Sequence, residues 1–262
     1  MSQKSRLTFR LFGLLLALIG SHLTRADAHT IVNTHIWTGV YPFGEPGAAY
    51  YQQTFVALPG KAQDLTIFLA SNEGDTKFRV LIVDVAPGIA SNIGPNGEIL
   101  SPIRSTFVPN HVLFESATIT VPFDPSYPIL RNEFTPYTVH LGGLSLSGGS
   151  RYAFVLDAAS EFTTGRRGTA WVAITKDDSY SNGTFSWYDG YLLDAISTNR
   201  TAVFQNVYGW AEYNNDNDLA FVNAEATQVQ DILNRAIRNR QQIFLAYRGD
   251  LSKPKATASS SN

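Results

Sequence analysis

Phe78-Arg79-Val80-Leu81-Ile82-Val83-Asp84 places Phe78, Val80 and Ile82 at every second position. Successive side chains of a pleated strand leave opposite faces, so this spacing predicts a strand over Lys77–Val85 with one wet face. Leu113-Phe114-Glu115-Ser116-Ala117-Thr118-Ile119-Thr120-Val121 carries apolar odd and polar even positions from Ala117 onward, and predicts a second such strand over Val112–Val121. Outward from these two, short apolar stretches recur at Ile31–Trp37, Tyr51–Ala57, Asp64–Ala70, Phe134–Leu141, Arg151–Asp157, Thr169–Thr175, Gly183–Tyr188, Trp210–Tyr213 and Leu219–Val222. Between them Ala86-Pro87-Gly88, Gly94-Pro95-Asn96-Gly97 and Gly142-Gly143 supply a set φ or a permissive glycine, which is turn chemistry. Ser147-Gly148-Gly149 predicts a tight hairpin joint between strands around Leu144–Leu146 and Arg151–Asp157. Many short strands with turns between them predict an all-β fold: an antiparallel, jelly-roll-like β-sandwich over residues 29–223, with a closed barrel as the alternative. The Pro-rich stretch from Pro122 to Pro136 is expected to be an ordered surface loop, since Tyr127, Ile129, Leu130 and Phe134 give it apolar groups to bury.

The period changes after Asn223. Val229, Ile232, Leu233, Ala236, Ile237, Ile243, Phe244 and Tyr247 recur at threes and fours, predicting an amphipathic α-helix of about six turns over residues 224–248. Glu225 in the first turn and Arg248-Gly249 at the end suit the two helix termini. Such a helix docks on its own sandwich, pairs with a second copy to give a homo-oligomer through residues 224–247, or contacts another partner. Residues 249–262 are polar and predict a disordered tail.

At the other end, Lys4, Arg6 and Arg10 precede the apolar run Leu11–Ile19, and Ala26-Asp27-Ala28 forms an A-x-A site. That order predicts a cleavable signal peptide over residues 1–28, with the mature chain starting at His29 in a secreted or periplasmic location. The apolar run is about half of the roughly 20 residues that span a bilayer, so no transmembrane anchor is expected after cleavage. The sequence has no cysteine, which excludes disulfides, thiol catalysis and thiolate metal sites. From His29 to Asn223 there are 18 Asp and Glu against 10 Lys and Arg, a balance of −8, while from Ala224 onward 6 basic residues face 3 acidic ones, or +3. An acidic body excludes nucleic acid as the expected partner, because phosphate binding calls for a basic stripe.

The strand segments also carry a recognisable order. Gln53-Thr54-Phe55, Leu65-Thr66 with Phe68-Leu69, and Phe78-Arg79-Val80 ending at Asp84 come first. Leu113-Phe114-Glu115-Ser116, Gly143-Leu144-Ser145-Leu146 and Gly149-Ser150-Arg151-Tyr152-Ala153-Phe154-Val155-Leu156 follow, with Trp210 and Asp218-Leu219-Ala220-Phe221 last. This pattern, from Tyr50 to Val222, resembles the exported β-sandwich domains of bacterial surface proteins of the PEP-CTERM and choice-of-anchor type. The resemblance implies the fold and export, and no particular activity. The end of the chain departs from that type, with an amphipathic helix and a polar tail in place of a sorting motif, hydrophobic helix and basic cluster; free secretion or periplasmic retention is therefore expected.

Three constellations could carry function. Tyr180, Phe185, Trp187, Tyr188 and Tyr191 lie close to Asn182 and Asp189 in a Gly-punctuated stretch; aromatic faces with neighbouring amides and carboxylates hold sugars by stacking and hydrogen bonding. Asn214-Asn215-Asp216-Asn217-Asp218 offers the hard oxygen ligands that Ca2+ takes, with Asp216 and Asp218 as carboxylates. His29, once freed at its α-amine, could clasp Cu(II) together with a second imidazole from His35, His111 or His140, in the manner of lytic polysaccharide monooxygenases. Asn182-Gly183-Thr184 and Asn199-Arg200-Thr201 fit the N-glycosylation acceptor pattern. The sequence lacks a G-x-S-x-G elbow, a phosphate-binding P-loop and an H-E-x-x-H helix. It reads as a secreted, non-enzymatic module for surface or extracellular-matrix interaction, with a glycan as the first expected ligand. The alternatives are a copper-dependent oxidative enzyme built on His29 and a structural subunit assembled through the C-terminal helix.

Overall fold

The computed structural model describes residues 31–33, 37–62, 64–89, 93–98, 104–125, 134–162, 168–175, 180–188, 198–212 and 218–224. The predicted signal peptide, the predicted helix beyond Ala224 and the tail lie outside them. Their strands are β1 (Ile31–Asn33), β2 (Trp37–Glu45), β3 (Tyr50–Val56), β4 (Gly60–Lys61), β5 (Asp64–Glu73), β6 (Thr76–Pro87), β7 (Phe107–Glu115) and β8 (Ile119–Val121). They continue with β9 (Thr135–Val139), β10 (Ser145–Leu146), β11 (Arg151–Asp157), β12 (Gly168–Thr175), β13 (Phe185–Tyr188), β14 (Trp210–Glu212) and β15 (Phe221–Ala224). One helix, α1 (Arg200–Gln205), and two 3-10 turns, Ala159–Glu161 and Val207–Gly209, complete the described elements.

The strands build two large sheets, both antiparallel. A six-stranded sheet runs β1-β15-β5-β12-β2 with β9 on the other edge of β5, and a seven-stranded sheet runs β14-β13-β3-β11-β6-β7 with β8 also on β6. The sheets share a core. Phe43 of β2 meets Tyr51 at 5.3 Å and Phe78 at 5.5 Å, and Phe221 of β15 meets Phe154 of β11 at 5.1 Å. Aromatic pairs at such separations add to the burial of apolar area that drives the sheets together.

The alternation in β6 is present: Phe78, Val80 and Ile82 are buried at this interface. The expected wet face is not. Leu81 and Val83, on the opposite side, are equally inaccessible, as are Ala153 and Val155 beside them on β11. This side is covered by a further layer, to which α1 contributes Val203 and Phe204. The central strands of the sheet are thus enclosed on both faces.

Three local expectations are also corrected. Val112–Val121 is not one strand: it divides into β7 and β8 along the same edge of β6. Ser116 marks the division. Its Oγ accepts from Val80 N at 2.9 Å and its N donates to Val80 O at 2.9 Å, so one residue closes both ends of a ladder step and strand pairing stops. Ser147-Gly148-Gly149 is a turn, with Ser150 N donating to Ser147 O, but not a hairpin joint, because β10 pairs with β4 in a separate two-stranded ribbon. Ala224 belongs to β15, opposite Asp64, and not to a helix. Gly142 and Gly143, at φ 63° and 74°, form the turn expected of them, in a region of backbone that side chains disfavour.

Candidate functional site

The period of two divides the aromatic stretch of β13. Phe185 and Trp187 stand opposite Gln53 and Tyr51 of β3, on the inner side, where Phe185 meets Tyr51 edge-on at 5.3 Å and Trp187 at 6.3 Å. Trp187 remains half-buried against the core. Tyr188 points to the other side of the sheet. It is buried against Tyr50 at 6.2 Å and Trp210 at 5.8 Å, and its hydroxyl accepts from Asn206 Nδ2 at 3.0 Å. Tyr180 is half-buried, edge-on to Phe221 at 5.6 Å, with its hydroxyl accepting from Val56 N. Trp187 and Tyr188 therefore do not share one face. Asp189 and Tyr191 lie outside the described residues.

Asp218 is buried between the sheets. Its Oδ1 accepts from Gln53 Nε2 at 2.7 Å and its Oδ2 from Tyr180 N at 3.1 Å, while Gln53 Oε1 accepts from Leu219 N at 2.7 Å. Both carboxylate oxygens are thus engaged in tying β3 to the segments entering β13 and β15. Asp216 lies outside the described residues, as do His29 and His35. His111 Nδ1 pairs with Asp84 at 3.2 Å and His140 Nδ1 with Asp64 at 2.8 Å, both imidazoles being exposed. Among the described residues no group of three or more His, Asp or Glu is placed to hold a metal ion.

A charged network absent from the sequence reading occupies the outer side of the seven-stranded sheet. Asn199 caps α1 by accepting from Ala202 N at 3.1 Å, and this start of the helix places Arg200 over the ends of β7 and β11. Arg200 Nε and Nη2 both reach Asp157 Oδ2, at 2.8 and 2.7 Å. Its Nη1 and Nη2 reach Glu115 Oε2 and Oε1 at 2.9 and 3.2 Å. Arg79 extends the chain, from Glu115 Oε1 at 2.7 Å to Glu161 Oε1 at 2.6 Å, where Thr118 Oγ1 also donates at 2.7 Å. Forked guanidinium–carboxylate contacts of this kind are directional as well as strong.

Burial sets how these groups titrate. The Asp157 side chain is inaccessible to water, with Oδ1 accepting from Ser160 N. Burial pushes its carboxyl above the usual range, and Arg200 only partly opposes this. Glu115 is held below the usual range, chiefly by the hydrogen bond from Arg200. Burial works to raise Glu161, but Thr118 and Arg79 together leave it lowered. Tyr50, opposite Asp157 in the β3–β11 ladder, is raised by burial and then by the Asp157 charge. Its hydroxyl is buried with no partner among the described residues. Replacing a buried unpaired hydroxyl by hydrogen removes a desolvation cost, so Tyr50→Phe is expected to hold or raise stability by up to about 1 kcal/mol in urea unfolding. A clear loss of stability would mean that the hydroxyl has a partner.

The members of the network lie 36, 43, 82 and 85 residues apart in its ion-paired contacts, so no local motif announces it. Arg79, Glu115 and Asp157 stand in stretches that the sequence marks only as strands, and Arg200 in the Asn199-Arg200-Thr201 triplet, whose Asn serves here as a helix cap. Chemically the network is a clamp: three carboxylates hold two guanidiniums and fasten α1, β6, β7, β11 and the turn at Ala159–Glu161 together. No protein-family model, characterised protein or solved structure matches this chain.

Proposed function

We propose that the protein is an exported, non-enzymatic β-sandwich module of jelly-roll-like design that binds a glycan at a cell surface or in an extracellular matrix. The signal-like N-terminus and the resemblance to bacterial surface-protein domains support export. The observation that carries the binding reading is Trp187. It is a half-buried indole on a strand held between β3 and β14, so its ring is oriented by the sheet before any ligand arrives. An oriented aromatic limits the entropy lost on stacking against a sugar face. The buried polar groups nearby support a binding scaffold over reaction chemistry, since Gln53 and Asp218 bond to each other and to backbone.

The test is a glycan panel screened with the mature chain, followed by Trp187→Ala on every hit. Trp187→Ala is expected to weaken binding about 30-fold, the effect of losing a central aromatic anchor worth roughly 2 kcal/mol. Unchanged affinity in a variant that still melts cooperatively would remove Trp187 from the site, and an empty panel would remove the glycan.

A further inference from the structure

Asn-Gly occurs twice in the chain, at Asn96-Gly97 and Asn182-Gly183. The pair carries its own chemistry. Glycine has no Cβ, so its backbone nitrogen can turn and attack the side-chain carboxamide carbon of the asparagine before it. Both asparagines are exposed. Both glycine N–H groups also close a turn, Gly97 N donating to Gly94 O at 3.0 Å and Gly183 N to Tyr180 O at 2.9 Å. Beyond that bond the fold treats the two differently.

Gly183 is pressed against β3. A Cβ at that position would stand 2.3 Å from Thr54 O and 2.6 Å from both Gln53 Nε2 and the Tyr180 ring. Arg151 Nη1 donates to Asn182 O at 2.6 Å, and Thr184 N donates to Thr54 Oγ1 at 2.8 Å. The peptide groups on both sides of Gly183 are therefore fixed, and turning its nitrogen toward the Asn182 side chain would break several bonds together. Gly97, at φ 81°, has nothing within 4 Å of where a Cβ would stand. Its nitrogen has to leave Gly94 O, in an exposed turn where local opening requires little.

We propose that Asn96 is a self-modifying site, converted slowly to aspartate and isoaspartate in the folded protein, while the fold shields Asn182. The Gly97 nitrogen forms a bond to Asn96 Cγ, the carboxamide C–N bond breaks, and ammonia leaves with the proton that Gly97 N gives up. Water then opens the cyclic imide at either carbonyl. The net change is one water taken up, one ammonia released and one new carboxylate, with no other reactant required. That carboxylate arises beside Glu98, whose Oε2 accepts from Asn96 N at 2.9 Å, and the two like charges repel. The isoaspartyl form also lengthens the backbone by a carbon, so the bonds from Gly94 N to Glu98 O and from Gly97 N to Gly94 O lose their register. The turn thus records the age of the chain in a change that does not reverse.

The test holds the full chain in mild base under native conditions and follows both asparagines by peptide mapping, each conversion adding about one mass unit. Asn96 is expected to convert at least about tenfold faster than Asn182, whose carbonyl is held by a charged donor. In urea, with both turns unfolded, the two rates should converge. Isoaspartate should appear beside aspartate, since direct hydrolysis of the side chain gives aspartate alone. Equal native rates overturn the proposal, and so does an Asn96 that converts in urea but stays intact in the native chain. A gap that persists in urea also overturns it, by assigning the selectivity to neighbouring residues, and aspartate without isoaspartate overturns the route through Gly97 N.

Discussion

Arg200→Met is expected to lower the free energy of unfolding by about 3–5 kcal/mol, the usual consequence of removing one partner from a buried ion pair. The partner left behind decides the size. Asp157 has no access to water, and both contacts that balance its charge come from Arg200. Met fills much of the same volume, so the loss reports the charge more than the packing. Its pH dependence separates the two. Asp157 already sits above the ordinary carboxylate value because of burial, and without Arg200 it rises further. A folded-state value above the unfolded one means that stability is full below the unfolded value and falls as pH climbs through the folded one. In Arg200→Met the abandoned carboxyl therefore takes a proton in mild acid. Glu115 works in the opposite sense: it sits below its ordinary value of 4.5, so its contribution is present above that pH and fades below it. The native chain thus loses Glu115's contribution on acidification while the variant relieves Asp157, and the gap between them should narrow. Urea unfolding of both at neutral pH and in mild acid measures this. A gap that is the same at both would assign the loss to packing. Asp157→Asn in the Arg200→Met background should recover part of the neutral-pH loss, since the amide can still accept from Ser160 N without a charge to desolvate.

The features legible in the sequence are those set by neighbouring residues. Arg151–Asp157 is a strand over the expected bounds, and Tyr51–Ala57 is shifted by only one residue, because alternation is a property of the local chain. The sequence does not mark β2 beyond Trp37: Gly39, Pro42 and Gly44 lower its strand propensity, and its place comes from pairing with β12 across the sheet. Gly44 itself answers to that pairing, at φ 110° with the Gly168 carbonyl 2.3 Å from where a Cβ would stand. The enclosure of β6 on both faces did leave a signal. Val80-Leu81-Ile82-Val83 is apolar in both phases, and a run without alternation marks a strand buried on two sides. α1 is six residues long, too short to display a period, and the Arg200 network joins residues that only the finished sheet brings together. Tyr188 shows the same limit. Its neighbour Trp187 was legible as half of an aromatic pair, but which of the two faced the sandwich interior depended on the register with Tyr51.

Trp210→Ala should match Arg200→Met in size, with a loss of about 3–5 kcal/mol from the removed indole and the cavity behind it. The ring is fully buried beneath α1. It lies 5.8 Å from Tyr188 and 6.2 Å from Tyr50, and its Nε1 donates to Val203 O at 3.2 Å. Val203 is in the helix that carries Arg200, so one indole supports both the aromatic layer and the mounting of the charged clamp. Trp210→Phe tests the division between these roles: it retains a ring but removes one of two donors to the Val203 carbonyl, which keeps Asn206 N at 3.2 Å, an expected cost of about 0.5–1.5 kcal/mol for the lost bond. Hydrogen exchange then shows how far the damage travels. If the outer layer belongs to the same cooperative unit as the sheet, protection in β11 should fall with protection in α1 and by a comparable free energy. Loss confined to Arg200–Gln205 would instead make α1 a detachable cap. The connected geometry favours the shared loss, because Asp157 of β11 is bonded to Arg200 of α1, and a helix released from Trp210 takes with it the cation on which that buried carboxylate depends.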